Sequence, residues 1–207
     1  MPPKIILGQS NEFVELNNNI KIIEKNLLPK IKLSGTYTER EKNLVRGYLL
    51  LSHAEIESYF EEVATKVVLL AHNKWEKTKK PSHIIISLIA YLGCKSQDVP
   101  ESFNDTTRAL IERRVKESLD SYVKYLKQNH GIKQKNILRI LLPLGIPLND
   151  IDSTWLLEMD TFGDDRGEIA HQSIKVQKII DPLTEKKRVE RVLIEIMKID
   201  LLINSLK

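Results

Sequence analysis

The sequence predicts an all-α protein, an up-and-down bundle of four to five main helices with short helices inserted between them. Apolar residues recur at spacings of three and four along four long segments, the period of a helix with one buried face. No convincing partner strands appear, and no internal repeat indicates a solenoid. Since no Gly/Ser-rich linker divides the chain, we expect a single domain over residues 1–207 with its core over about 10–205.

Composition and length are those of an ordinary globular domain. The 207 residues are 42% hydrophobic and 29% charged, which excludes disordered and collagen-like chains. The longest nearly uncharged apolar run, residues 84–94, is far shorter than the roughly 20 residues of a membrane-spanning helix, and the N-terminus lacks the apolar core of a secretory signal. A single cysteine, Cys94, cannot form an intramolecular disulfide. We therefore expect a cytoplasmic protein that does not associate with membranes.

The first two long helices are predicted from spacing and from capping signals. The first runs from about Ser10 to Leu28, with Pro29 where it should end. Thr38 and Glu41 have the spacing of a capping box and begin the second helix, which should reach about residue 72. The core positions of the second helix would be Val45, Leu49, Ile56, Tyr59, Phe60, Val63 and Val67.

The rest of the chain alternates short and long helices. Residues 74–80 are predicted to be a solvated connection, and Pro81 then opens a short apolar helix that Gly93 can end. The run of isoleucines at 84–86 would also suit a buried strand. Asp105 can cap a third long helix that ends near Gly131. Further helices are predicted over 137–142, from Ser153 onward, and over 182–205 after Asp181.

Several functional motifs are missing from the sequence. There is no Gly-rich phosphate loop, no Gly-x-Ser-x-Gly elbow and no His-Glu-x-x-His pair. The five histidines are scattered, and none lies four residues from another, so we expect no metal site and no cofactor. Residues 131–150 have the length and central glycine of a helix-turn-helix, but two prolines interrupt the presumed second helix. A DNA-binding regulator is therefore only a third hypothesis.

One short polar segment, residues 164–172, carries groups suited to metal-free RNA cleavage. The guanidinium of Arg166 could hold a phosphate, and the imidazole of His171 could move protons to and from ribose oxygens. Because residues five apart on a helix diverge by roughly 140°, the two would share a face only if Arg166 lies at or just before a helix N-terminus. Asp164 and Asp165 are candidate caps for such a start. Alternatively, Arg166 pairs with Asp164, and His171 makes only local hydrogen bonds.

Two segments resemble HEPN-domain proteins of the RiboL-PSP type. Arg-Gly-Glu-Ile-Ala-His at residues 166–171 is similar to the family signature, an Arg followed after four to six residues by His. Residues 46–62 resemble the long early helix of that type, in which an apolar run leads into a Glu followed by aromatics, and Glu57 is the best match. The likeness spans about residues 38–205. Gly167 and Gln172 depart from it, because the family often has a polar residue, typically Asn, after the Arg and Gly after the His.

The resemblance implies a homodimer that acts as a metal-independent endoribonuclease, with both motifs facing a shared cleft. Arg166 and His171 would be catalytic, no cofactor would be needed, and the products would carry 2′,3′-cyclic phosphate and 5′-hydroxyl ends. It also implies a toxin or phage-defence role, with an antitoxin or another inhibitory protein as a partner. Some members of the family only bind. The alternative is therefore a non-catalytic helical module for RNA or a protein partner.

Other residues are candidates for supporting roles. Arg46, His53 and Glu57 lie at i, i+7 and i+11, so they share one stripe of the second helix, where they could orient a catalytic pair or form a solvated edge. Glu168 and Gln172 adjoin the Arg/His pair. A basic run could steer RNA, although such a run is also typical of a solvated loop. Its lysines are Lys74, Lys77, Lys79 and Lys80.

Overall fold

The computed structural model describes residues 8–92, 105–171 and 180–206. These ranges contain seven α-helices and no strand, which confirms the all-α prediction. The helices are α1 (Asn11–Leu27), α2 (Glu39–Thr78), α3 (His83–Leu92), α4 (Asp105–Leu126), α5 (Gln134–Leu141), α6 (Ser153–His171) and α7 (Pro182–Ser205). Two 3₁₀ turns, Leu142–Leu144 and Leu148–Asp150, connect α5 to α6.

Helix α2 forms the axis of the bundle and contacts every other helix. Its start is the predicted capping box: the Thr38 N–H donates to Glu41 at 2.8 Å, and the Glu41 N–H donates to the Thr38 hydroxyl at 3.2 Å. The helix does not end near residue 72 but continues to Thr78, after which Lys79 adopts a left-handed conformation with φ 53°. Lys74 and Lys77 are consequently helical, and the prediction of a connection over 74–78 is wrong.

Local capping signals also place the starts of α1 and α7. The Ser10 hydroxyl accepts the Phe13 N–H at 3.0 Å, and the Asp181 carboxylate accepts the Thr184 N–H at 2.8 Å. Helix α3 contains residues 84–86, so this run is helical and not a strand. Its predicted end at Gly93 lies outside the described residues.

The segment proposed as a helix-turn-helix contains only one α-helix. Residues 131–150 hold the eight-residue α5 followed by the two 3₁₀ turns. Pro143 interrupts helix propagation, and Gly145 turns the chain with a φ of 88°. The apolar face of α5, including Ile137 and Leu141, is fully buried. The helix-turn-helix hypothesis is therefore wrong.

A buried carboxylate links three helices at one end of the core. Asp200 on α7 is fully buried. It accepts the Ser10 N–H at 2.7 Å and the Tyr59 hydroxyl at 2.9 Å. Since buried carboxylates need such donors, Asp200 holds the start of α1 and the middle of α2 against α7.

Candidate functional site

Helix α6 runs without a break through the Arg/His segment. Arg166 lies thirteen residues after Ser153, well inside the helix, and His171 is its last residue. The expectation that a new helix begins near Arg166 is therefore wrong. Asp164 and Asp165 do not cap a helix, because their carboxylates pair with Lys133 and, at 2.6 Å, with Arg188.

The uninterrupted helix separates the two side chains. At 100° per residue, residues five apart point roughly 140° away from one another. Arg166 continues the stripe of Trp155, Met159 and Phe162 that faces the core, whereas His171 lies on another side of α6. Within one chain, the two groups therefore do not share a helix face.

Arg166 lies where the end of α6 meets α2. Its side chain is exposed, and its guanidinium has no hydrogen bond or ion pair with any residue in the described ranges. Its positive charge nevertheless acts on His53, a residue of α2. Among the described residues, Arg166 is thus an unpaired cation at the surface, beside the early helix.

His53 is the buried member of this site. Its side chain is packed against the Phe162 ring at 5.9 Å between ring centres, and its Nδ1 lies 3.6 Å from Glu57 Oε2. Burial lowers the pKa of His53 to about 4; Glu57 opposes this shift and Arg166 adds to it. The imidazole is therefore neutral at pH 7.

Glu57 connects His53 to the chain between α4 and α5. Its Oε1 accepts the Gly131 N–H at 2.6 Å and lies 3.9 Å from His130 Nδ1. The His130 side chain is 83% exposed, so its imidazole is open to solvent beside the carboxylate. Sequence reasoning missed His130, because nothing near it in the sequence indicates that this turn contacts α2.

His171 is exposed at the C-terminal end of α6. In the part of the chain that the structure describes, its imidazole has no hydrogen-bond or ion-pair partner. The alternative in which Arg166 pairs with Asp164 and His171 bonds locally is not what the structure shows: Asp164 pairs with Lys133 instead. With respect to the described residues, both side chains are therefore available to a ligand.

The family comparison covers nearly all of this arrangement. The model of the RiboL-PSP-HEPN family matches residues 14–203. The chain belongs to this family. Searches of curated proteins and of solved structures found no match. HEPN membership points to a nuclease or RNA-related role, and HEPN domains often dimerise.

The two segments that carry the HEPN resemblance meet in space. His53 and Glu57 come from the early helix, and Arg166 comes from the late one. The guanidinium acts electrostatically on the buried imidazole, while Glu57 orients the turn at Gly131. This HEPN chain therefore gathers an exposed cation, a carboxylate and two imidazoles where α2, α6 and the α4–α5 connection adjoin.

Two glycines shape the HEPN helix α6 near Arg166. A Cβ at Gly163 would lie 2.6 Å from Lys133 Cγ, so the glycine permits the close approach of the α4–α5 connection. A Cβ at Gly167 would meet nothing within 4 Å. No described residue fills the space beside Arg166, at the position where the resemblance leads us to expect a polar side chain.

The remaining predicted residues lie apart from this cluster. Arg46 is buried two turns before His53 and donates to Asn43 at 2.6 Å. Glu168 is half-buried and points roughly 160° away from Arg166 around α6, while Gln172 lies outside the described residues. The basic run, from Lys74 to Lys80, begins seventeen residues after Glu57, about 25 Å farther along α2 at 1.5 Å per residue.

The described ranges contain no cluster suited to a metal ion and no helix suited to crossing a membrane. Among residues 8–92, 105–171 and 180–206, no group of three or more His, Cys, Asp or Glu side chains could hold a metal ion. No helix in the described ranges combines the length and the apolar character needed to cross a lipid bilayer.

Proposed function

We propose that this HEPN protein is a metal-independent endoribonuclease that leaves 2′,3′-cyclic phosphate and 5′-hydroxyl ends. The observation that supports the proposal is the exposed Arg166 guanidinium beside the His53–Glu57 pair, because it joins the two segments of the family resemblance. A guanidinium stays charged at any physiological pH and can bind two phosphate oxygens at once. The site thus offers a fixed positive charge where a phosphodiester can approach.

The reaction needs only the groups of the protein and of the RNA. An imidazole removes the proton of the ribose 2′-hydroxyl, and the oxygen attacks the adjacent phosphorus. Arg166 stabilises the negative charge of the pentacoordinate phosphorane. The P–O5′ bond then breaks, and the leaving 5′-oxygen takes a proton from a second imidazole. The products are a cyclic phosphate and a 5′-hydroxyl.

The histidines differ in their suitability for proton transfer. His53 has a pKa of about 4 and is neutral at pH 7, so we assign it to positioning Glu57 and not to carrying a proton. His171 is exposed, and it is the residue that resembles the His of the family signature. His130 is exposed and adjoins Glu57, and it is the second candidate.

A homodimer reconciles the helix geometry with joint action of Arg166 and His171. Pairing about a twofold axis brings two copies of α6 to one cleft, so the imidazole of one copy can serve the guanidinium of the other. Mixing Arg166→Ala protein with His171→Ala protein, after unfolding and refolding together, should then restore cleavage. Each mixed dimer would keep one intact Arg/His combination. If the mixture stays as inactive as either variant alone, Arg166 and His171 do not act across two copies.

The direct test is cleavage of mixed cellular RNA with and without a chelator, followed by analysis of the ends. His171→Ala and Arg166→Ala should each slow cleavage by about 100-fold or more, the usual effect of losing a proton-transfer or charge-stabilising group. His72→Ala, on α2 but about 22 Å along the helix from Glu57, is the matched control and should cut normally. Unchanged cleavage by both site variants, or a strict need for magnesium, would refute the proposal.

The alternative is a non-catalytic helical module that binds RNA or a protein partner. The empty space at Gly167 favours it, because no side chain there can contact a substrate. RNA that binds to wild-type protein without being cut would support this alternative. The same incubation therefore separates the two functions.

The cellular setting follows from the proposed activity. We assign the protein to the cytoplasm, where RNA is available, and to a toxin or phage-defence role with an inhibitory partner such as an antitoxin. Expression of the wild-type chain alone should arrest growth, whereas expression of His171→Ala should not. Normal growth with active wild-type protein would argue against a toxin.

A further inference from the structure

The chain around α5 has an unusual charge distribution. Residues 121–149 contain five Lys or Arg residues and no Asp or Glu. The whole chain has a net charge of only +4, so this segment accounts for the excess of positive charge. Its basic residues are Lys124, Lys127, Lys133, Lys135 and Arg139.

Most of these charges are free and open to solvent. Lys124, Lys127, Lys135 and Arg139 are exposed, and none has an ion-pair partner in the described ranges. The Arg139 guanidinium lies 5.9 Å from the centre of the Tyr125 ring, which holds α5 beside the end of α4. The two helix ends therefore present one positive surface, defined by the four exposed residues and called the α4–α5 surface.

The connection between α4 and α5 is attached to the candidate site at two points. Between its lysines, the Gly131 N–H donates to Glu57 of α2 at 2.6 Å. Lys133 reaches across Gly163 to pair with Asp164 of α6. Glu57 lies one turn after His53 and Asp164 lies two residues before Arg166, so both attachments place the α4–α5 connection beside the candidate site.

The basic run at Lys74–Lys80 lacks these properties. Glu76 lies within it, and Lys79 pairs with Glu112 at 2.9 Å. Its distance from Glu57, about 25 Å along α2, is roughly three Debye lengths at physiological salt. The charge of a phosphate bound there would therefore be screened from the charges of the candidate site.

We propose that the α4–α5 surface binds the phosphate backbone of single-stranded RNA and directs the strand to Arg166. Successive phosphates of one strand can contact the exposed side chains while the next phosphodiester lies at the guanidinium. The proposal rests on RNA being the substrate, as proposed above, but binding does not require cleavage. An acidic protein partner would bind to the same charges, and the experiment below distinguishes it from RNA.

The experiment measures RNA affinity by fluorescence anisotropy over a range of salt concentrations. A labelled single-stranded RNA of mixed sequence is used, and all proteins carry His171→Ala to prevent cleavage. Each phosphate contact to a single strand contributes about 0.7 to the slope of log K against log salt. Lys127→Gln/Lys135→Gln should therefore lower the slope by about 1.4 and weaken binding about 25-fold at 0.1 M salt.

Two double variants with the same change of charge provide the comparison. Lys21→Gln/Lys25→Gln removes two exposed lysines of α1 that pair with no carboxylate in the described ranges, and it should leave the slope unchanged. Lys74→Gln/Lys77→Gln tests the rival surface and should also have no effect. Circular dichroism verifies that every variant is folded.

The outcomes separate this proposal from the nuclease activity. An unchanged slope in the Lys127/Lys135 variant, or a loss confined to the Lys74/Lys77 variant, would overturn it. If polyglutamate binds as tightly as RNA, and the Lys127/Lys135 variant loses this binding too, the surface is assigned to an acidic protein partner. If RNA binds through Lys127 and Lys135 but wild-type protein never cuts it, the surface stands and the nuclease proposal fails.

Discussion

Replacing His53 by Gln should remove about 3 kcal/mol of the stability that the fold loses between pH 7 and pH 4. His53 has a pKa of about 4 in the folded protein, against an ordinary value of 6.5, mainly because the ring is buried. Between these values the unfolded chain binds the proton and the folded chain does not, so stability falls as the pH drops from about 6.5 to about 4. At 1.36 kcal/mol per pKa unit, the loss amounts to about 3 kcal/mol.

The assay is urea unfolding at a series of pH values from 7 to 4, followed by circular dichroism and tryptophan fluorescence. Agreement between the two signals verifies a two-state transition. The wild-type protein should lose about 3 kcal/mol more than His53→Gln over this range. His72→Gln, on the same helix, should follow the wild type. If the free energy of unfolding falls equally with pH in the wild type and in His53→Gln, the burial of an uncharged imidazole beside Glu57 is refuted.

The remaining predictions concern α6 and α7, and urea unfolding checks each one. Gly167→Ala should raise the free energy of unfolding by about 0.5–1 kcal/mol, because alanine favours a helix and the new methyl group meets no atom; a loss would contradict an open, helical position. Gly163→Ala should lower the free energy of unfolding, because the new methyl group displaces Lys133. An increase like the one expected for Gly167→Ala would show that Lys133 does not pack against Gly163. Asp200→Ala should cost about 3 kcal/mol and Tyr59→Phe about 1 kcal/mol, because the carboxylate keeps its other donors in Tyr59→Phe; equal costs would rule out this account.

Helix starts were predictable because their signals are local. The Thr38–Glu41 capping box and the Asp181–Pro182 pair both mark observed helix starts. Each works through a side chain that satisfies a backbone N–H within three residues, which a sequence displays directly. The buried positions of α2 were predictable for a similar reason, since the three- and four-residue spacing of its apolar residues depends only on the geometry of that helix.

Helix continuation was not predictable where distant side chains decide it. Asp164 and Asp165 follow a glycine and have the chemistry of caps, so a break near Arg166 was a reasonable prediction. In the structure, their charges are taken up by Lys133 and Arg188 from other elements. Because these carboxylates do not cap a backbone N–H, no new helix begins there, and α6 continues to His171.

The contents of the candidate site show the same division between local and long-range information. The family resemblance singled out Glu57 and Arg166, but no spacing in the sequence connects His130 to either of them. That connection depends on the turn at Gly131, whose φ of 102° suits glycine and whose N–H is aimed at the Glu57 carboxylate. A histidine next to such a turn becomes a site residue only when the fold brings the carboxylate to it.

The identity of the proton-carrying imidazole determines how many copies of the chain a working site needs. His171 cannot share a face of α6 with Arg166, so its use requires a second copy, as HEPN dimers would provide. His130 adjoins Glu57 in the same chain as Arg166, so its use requires only one copy. Cleavage restored by mixing the Arg166→Ala and His171→Ala proteins supports the first arrangement. Cleavage that survives in His171→Ala but fails in His130→Ala supports the second, because only that arrangement uses the imidazole beside Glu57 and not the one at the end of α6.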